Sequence, residues 1–458
     1  MKKKIILTTA VLAVLFLTIA LSSCALLGDN PTAMWARINR AMNKQSSFEM
    51  DTEMDMVFYV DGNQVTSRAD GRTIEVDIGK DSQYFYQRTN TTVKSTKLGI
   101  NQNIVNLQAY HEGNYFLSNR GTDINQRLYS PMSLKDAMDY RLETDLDVST
   151  LFLQCDSAEV TDNGDGTKTL RYSDYRQAAL DELAESMGLH EIEWEYEIVD
   201  MPVAITVDGD YLIQKIEIAF TFDTGEDSLR VPSISMVMTY SEYGTAEREV
   251  SALKTDSYVQ VEDIRLLSQL EDMLKEREEQ QNDSFTLTTS QTTKIMGQSS
   301  TTKETDVVTY GTGEDGYFYE IDATINGEKY DISYKNGKQK VTGSGTNKTE
   351  AQTEKEAKDF ISGLINSANF SADHVTAITE IEDGVYKLES DKPEPSAYKS
   401  FFAGIGGTYA KATQTITITV ENGNITKIEC EVKADGNITS GYNTYGVGLT
   451  IKSTVTFD

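Results

Sequence analysis

From Ser47 onward the chain is dominated by runs in which apolar and polar side chains alternate with a period of two. These runs are cut at Asp61-Gly62, Asn163-Gly164, Asn326-Gly327, Asn336-Gly337, Asn422-Gly423 and Asp435-Gly436. Such dipeptides supply the positive-φ residues of tight turns, so each cut reads as a β-hairpin. A hairpin reverses the chain, and a succession of hairpins therefore predicts antiparallel sheets. One face of each run is apolar and the other is rich in Thr, Ser, Lys and Glu, the pattern of a sheet covered on one side. The few amphipathic segments are what could cover it.

The same order of elements occurs twice. A helix starts near Pro31 with Met34, Trp35, Ile38, Ala41 and Met42 on one face, and a second lies between Asp263 and Gln281 with Leu266, Leu267, Leu270, Met273 and Leu274 as its stripe. Each runs into Ser-Phe, at Ser47-Phe48 and Ser284-Phe285, and then into a meander passing through Tyr84-Phe85-Tyr86 or Tyr317-Phe318-Tyr319. A later helix follows in each half, at about 134–146 and about 349–366, the second with Thr349 and Gln352 as a capping box. The best match is a hairpin: Ile205-Thr206-Val207 continuing to Lys215-Ile216-Glu217-Ile218, against Ile418-Thr419-Val420 continuing to Lys427-Ile428-Glu429-Cys430. Phe48 and Phe285, Tyr84 and Tyr317, and Lys215 and Lys427 are 237, 233 and 212 residues apart. The separations shrink in one direction, as a duplication with shorter connections in its second copy would give.

The N-terminus carries a different signal. Lys2-Lys3-Lys4, an apolar run from Ile5 to Ala20, and Leu21-Ser22-Ser23-Cys24 have the layout of a secretory leader. The LSSC segment resembles the bacterial lipobox, which implies diacylglycerylation of Cys24 and cleavage between Ser23 and Cys24. The expected organisation is a signal peptide over 1–23, a lipidated tether over 24–32, and domains over 33–262 and 263–458. The expected location is the cell membrane, on its extracytoplasmic side, with the Cys24 lipid as anchor. Beyond the leader, 39 basic against 72 acidic residues leave a net charge of −33. That charge argues against nucleic acid as a partner of the general surface. No second apolar stretch is long enough to span a bilayer.

A unit of leading helix, long antiparallel meander, inserted helices and closing hairpins is similar to the LolA/LppX-like superfamily of bacterial lipoprotein and lipid carriers. Thr239-Tyr240-Ser241-Glu242-Tyr243-Gly244 followed by Glu247-Arg248-Glu249-Val250 resembles that family's final strand and exit segment; the second copy ends at Thr454-Val455-Thr456-Phe457-Asp458 without it. The likeness also extends to Gram-positive surface lipoproteins of unestablished role. It implies an α+β fold of two tandem, strongly curved antiparallel half-barrels, each with helices covering the concave face. It further implies that the space between sheet and helices accepts acyl chains or other apolar ligands. No matched motif assigns individual ligand-binding residues.

Motifs that could carry chemistry have plainer explanations. Gly311, Gly313 and Gly316 satisfy G-x-G-x-x-G, but the following Tyr317–Ile321 reads as strand where a dinucleotide site needs a helix. The 343–349 segment lacks the glycine before its lysine that a phosphate loop requires, and 162–166 lacks a calcium loop's final glutamate. His111, His190 and His374 lack metal-ligand spacing, and no G-x-S-x-G is present. Between His190 and Ile198, Ile192, Trp194, Tyr196 and Ile198 alternate with Glu191, Glu193, Glu195 and Glu197, which reads as a strand with a solvated acidic face. Cys430 falls on the buried face of a strand as a small apolar residue, with a bridge to Cys155 as the lesser alternative. Phe85 and Phe318, each flanked by tyrosines, are expected in packed cores. The expected function is a non-enzymatic lipoprotein without cofactor or metal, binding a lipid or acylated peptide in a half-barrel cavity. The alternative is a surface interaction module with filled cores.

Overall fold

A computed structural model describes residues 30–60, 62–122, 124–142, 152, 154–180, 197–223, 232–278, 282–313, 316–368, 370–393, 401–440 and 443–458. The fold is dominated by β-strands, with few helices. It divides into two compact units. One holds residues up to Tyr115 and Met132–Leu253; the other holds Phe116–Pro131 and Lys254–Asp458. The leader, Cys24 and most of the 190–198 acidic segment lie outside the described residues.

The first unit opens with helix α1 (Pro31–Met42). Pro31 occupies the first turn, where its missing N–H costs nothing, and the Asn30 side chain accepts from the Ala33 N–H at 2.7 Å. The strands that follow are β1 (Ser47–Val60), β2 (Asn63–Val76), β3 (Tyr84–Ser95) and β4 (Ile100–His111). Next in the chain come β5 (Asn114–Arg120), β6 (Asn125–Pro131) and helix α2 (Leu134–Leu142). Then follow β7 (Cys155–Asp162), β8 (Lys168–Tyr175), β9 (Glu197–Asp200), β10 (Val203–Val207), β11 (Ile213–Ala219), β12 (Thr221–Asp223), β13 (Ser233–Ser241) and the two-residue β14 (Val259–Gln260). Within the first unit the sheet order is β4-β3-β2-β1-β13-β11-β10-β8-β7. The last long strand, β13, thus closes against the first, β1, with Glu49 opposite Ser241 and Met54 opposite Met236.

The second unit starts its own sheet after helix α3 (Arg265–Glu278), whose buried side is Leu267, Leu270, Leu274 and Arg277. A meander runs through β15 (Asn282–Ile295), β16 (Gln298–Gly313), β17 (Gly316–Ile325), β18 (Glu328–Lys335), β19 (Lys338–Gly343) and β20 (Thr346–Ala351). Helix α4 (Glu354–Ile365) precedes β21 (Ala377–Glu382), β22 (Val385–Ser390), β23 (Gly407–Glu421), β24 (Asn424–Ser440) and β25 (Asn443–Phe457). The order is β20-β19-β18-β17-β16-β15-β25-β24-β23-β22-β21, so here too the last strand closes against the first. The matched hairpins agree in detail. Thr206 faces Lys215 as Thr419 faces Lys427, and a register shift falls at Thr206/Val207 and again at Thr419/Val420. The β1–β4 meander, the β7–β13 strands of the first unit's sheet and the β15–β25 sheet pair antiparallel, β9 and β12 form a separate antiparallel pair, and β14 lies parallel to β6.

Several expectations need correction. Asp435-Gly436 is not a turn: β24 runs through it, and a Cβ on Gly436 would lie 2.5 Å from the Phe402 ring and 2.6 Å from the Thr408 carbonyl. The glycine is there so that a buried aromatic can rest on the backbone. Thr349 does not cap a helix, because Thr346–Ala351 pairs with β19; α4 begins one turn later, where Thr353 and Glu356 form the reciprocal capping box. Helix α2 is described only as far as Leu142. The aromatic triplets are out of step: Phe85 is paired with Glu75 in a row that begins at Phe48, whereas the residue reached from Phe285 through Val308 is Ile321. Phe318 therefore points to the face opposite Tyr317 and Tyr319 and is only half-buried, while Phe85 is fully buried. A slip of one residue exchanges the faces of a strand.

Candidate functional site: a methionine-lined cavity

Strand β1 carries Phe48, Met50, Thr52, Met54 and Met56 on one face, and Glu49, Asp51, Glu53 and Asp55 on the other. The acidic face meets solvent and pairs with basic residues of β2; Arg72 grips Glu49 with two hydrogen bonds of 2.6 and 2.9 Å. The apolar face is continued sideways by the strand register. Tyr240, Met50, Thr73 and Gln87 form one row; Met238, Thr52, Gly71 and Thr89 the next; Met236, Met54 and Ala69 the third.

These rows line an open-sided cavity of about 450 Å³, bordered at one end by Phe48, Glu75 and Arg141. It exists because in the three rows β2 places small residues, Ala69, Gly71 and Thr73, between the larger residues of its neighbours, while Arg72 and Glu75 of the same strand also border it. Arg141, from the last turn of α2, bonds Glu75 at 2.7 Å and lies 4.8 Å above the Phe85 ring. Both partners are about nine-tenths buried. A buried charge pair with this geometry fixes position more than it adds stability, and it ties α2 to the sheet at the cavity's edge.

On its other flank the same face is filled. Met34 and Ile38 of α1 pack into a core with Leu170, Ile205, Ile216, Ile218, Ile234 and Met238, and Met50 and Met236 lean against it. The cavity is thus a gap left beside a packed core, lined by unbranched thioethers. Methionine adapts to irregular apolar shapes, and pockets of this volume and lining bind by burial with few polar contacts.

The other motifs do not assemble into a site. Gly313 pairs with Gly316 across a β16–β17 hairpin, as expected. Gly164 follows an Asp162 whose carboxylate is occupied by its N–H, a turn between β7 and β8. His374 bonds the Lys392 carbonyl at 2.7 Å, and His111 lies edge-on to Tyr84. Among the described residues no group of three or more His, Cys, Asp or Glu side chains could hold a metal. Cys155 and Cys430 are free thiols; Cys430 is buried between strands, and burial pushes both thiols above the usual range.

The sequence reading assigned no ligand-binding residue. The signal was nonetheless present, in the strict alternation of Phe48, Met50, Thr52 and Met54 with four acids and in the small residues at period two in β2. Alone it singles out nothing, because half of an alternating strand is always apolar, and only cross-strand register brings four methionines together.

No protein-family model matches the chain, and no curated protein matches it. Among solved structures, the chain is similar to the lipoprotein LppX of Mycobacterium tuberculosis, at 12% identity over 47% of this chain and 96% of that one, with a TM-score of 0.23. It is also similar to a LolA superfamily protein of Nitrosomonas europaea, at 14% identity over 41% of this chain and 90% of that one, with a TM-score of 0.17. With superposition scores this low, it is the cavity itself that carries a functional reading.

Proposed function

We propose that this protein is an extracytoplasmic lipoprotein that holds one apolar ligand, a lipid or an acyl chain, in the methionine-lined cavity of its first unit, without catalysing a reaction. In this reading Cys24 carries the lipid anchor and 24–32 is the tether. Residues 33–262 and 263–458 are the two copies of a duplicated half-barrel, each curved around its helices, although as compact bodies 116–131 and 254–262 go with the second. The observation that carries it is a hollow of about 450 Å³ bordered by Met50, Met54, Met236, Met238 and Phe48. Ligand pockets run to about 300–1,000 Å³, so a hollow of this size is within the range that takes part of an acyl chain.

The decisive experiment fills the hollow from beneath. A Cβ on Gly71 would stand 3.4 Å from the Thr52 Cβ, and Gly71 has no positive φ, so Gly71→Leu is compatible with the strand and projects into the cavity. Native mass spectrometry of the unlipidated body, purified from a membrane-containing host, should show bound lipid in the parent protein. Gly71→Leu should lose it while its melting temperature stays within a few degrees. A parent protein free of lipid, or a variant that keeps it, would refute the reading.

A second reading applies to the second unit, as a surface interaction module. There the gap beside Phe370, His374, Leu388 and Ile416 measures about 10 Å³, room for about one water, and a larger hollow, about 360 Å³, is an open one of mixed lining bordered by Phe318, Tyr319, Glu320, Tyr334 and Lys335. The opposite face presents Thr413, Thr415, Thr417 and Thr419 beside Lys433, Glu431, Glu429 and Lys427, a polar grid suited to a protein or wall polymer.

A further inference from the structure

The chain has fourteen methionines, and four of them border this one cavity. Met54 faces Met236 directly across the β1–β13 pair, and Met238 and Met50 sit in the two adjoining rows. Met50, Met54 and Met236 are only half-buried and border an open-sided cavity, which gives a small oxidant a route to them. We infer that these methionines are an oxidative modification site, and that peroxide-class oxidants release the apolar ligand by converting the cavity wall to methionine sulfoxide. The inference rests on the proposed ligand-binding role of the same cavity.

The chemistry needs no catalyst. A sulfur lone pair attacks one peroxide oxygen, the O–O bond breaks as the S–O bond forms, and hydroxide leaves. That hydroxide takes the proton from the sulfur-bound oxygen and departs as water; sulfur is oxidised and peroxide reduced. Each event puts a strong S=O dipole where an alkyl chain would lie. Burying that dipole against hydrocarbon without a hydrogen-bond partner is unfavourable. The wall around it also carries Thr52, Thr73 and Thr89, and an oxygen solvated by water or by a hydroxyl there stands in the space a bound chain would fill. Competition from thiols is weak. Cys430 is buried and bonded to Gln414, and both described thiols are held protonated by burial, whereas a thioether reacts without deprotonation.

The test uses cis-parinaric acid, a fluorescent polyene fatty acid, as the probe. Its affinity is measured on the mature chain before and after mild hydrogen peroxide, with peptide mass spectrometry locating the sulfoxides. Oxidation of Met50, Met54 and Met236 should weaken binding by about tenfold or more, and methionine sulfoxide reductase should restore it. A variant with Met50→Leu, Met54→Leu, Met236→Leu and Met238→Leu keeps the volume nearly unchanged, and whatever its starting affinity, that affinity should be the same after peroxide as before it. If four changes disturb folding, Met50→Leu with Met54→Leu should blunt the loss in part. Unchanged affinity in the oxidised parent would overturn the inference, as would an equal loss in the leucine variants or an absence of sulfoxide at these positions. Failure of the untreated protein to bind the probe would count instead against the ligand-binding role, and it is seen before any oxidant is added.

Discussion

Asp306 is a carboxyl set among apolar neighbours. It lies between Leu287 of β15 and Ala323 of β17, is 5% exposed, and its Oδ1 has no hydrogen-bond partner. Burial, helped by the nearby negative charge of Glu304, raises its pKa to about 6. A carboxyl whose folded value lies above its unfolded value holds its proton more tightly in the native state. Its stabilising contribution is therefore full below about pH 4 and is lost as pH rises through about 6. Asp306→Asn removes the titration. Thermal unfolding should show the variant more stable than the parent by about 2 kcal/mol near neutral pH, and the two nearly equal near pH 4. The opposite problem is solved at Arg277, whose guanidinium bonds Asp283 at 2.6 Å and the Ile425 carbonyl at 3.0 Å, and lies 4.5 Å from the Phe457 ring. Asp283→Ala removes the carboxylate that faces this buried guanidinium and should cost about 3 kcal/mol in denaturant unfolding. The paired change Arg277→Met with Asp283→Leu, which removes both charges, should cost far less.

Elements were legible in the sequence where a local rule fixes them and illegible where a partner does. The starting region of α1 follows from Pro31 and the apolar spacing, and the stripe of α3 from Leu267, Leu270 and Leu274. Asn336-Gly337 and Asn422-Gly423 both adopt the positive φ that their turns demand. Gly436 defeated the same rule because what selects it is Phe402, more than thirty positions earlier and close only after folding. The start of α4 was misplaced because two consecutive stretches, Thr349 to Gln352 and Thr353 to Glu356, offer a capping spacing, and pairing with β19 claims the first for a strand. Thr353→Ala tests that choice. It deletes the side chain that accepts from Glu356 N–H at 3.2 Å, and should cost about 1 kcal/mol of stability; Thr349→Ala, on an exposed edge strand, should cost almost nothing. The cavity was the least legible feature, since it depends on β1, β2 and β13 lying in one particular register. Nothing in the order of residues along the chain states that register.

At the scale of the molecule, sequence order and compact unit do not coincide. Residues 116–131 fall in the first half of the chain, yet they belong to the second unit and complete it. Buried Asn119 donates to Asp373 at 2.7 Å and to Gln126 at 3.1 Å, and buried Gln126 donates to the carbonyls of Ala372 and Val375 at 2.7 and 2.9 Å. Phe116 stacks on Tyr129 and meets Tyr258 edge-on, while Val259 and Gln260 pair in parallel with Leu128 and Tyr129. Cutting the chain at Leu253 and keeping 254–458 would remove all of this at once. Asp373, whose carboxyl is held high by burial, would lose its amide donor, and two backbone carbonyls would lose theirs. Each such loss costs about 1–3 kcal/mol where the group stays buried, against a typical domain stability of about 5–15 kcal/mol. The 254–458 fragment should therefore unfold at a clearly lower denaturant concentration than the second unit does in the intact chain. A synthetic 116–131 peptide should recover part of the difference, whereas the same peptide carrying Gln126→Ala should recover much less. A fragment as stable alone as in the whole protein would mean that the borrowed hairpin is only a passenger.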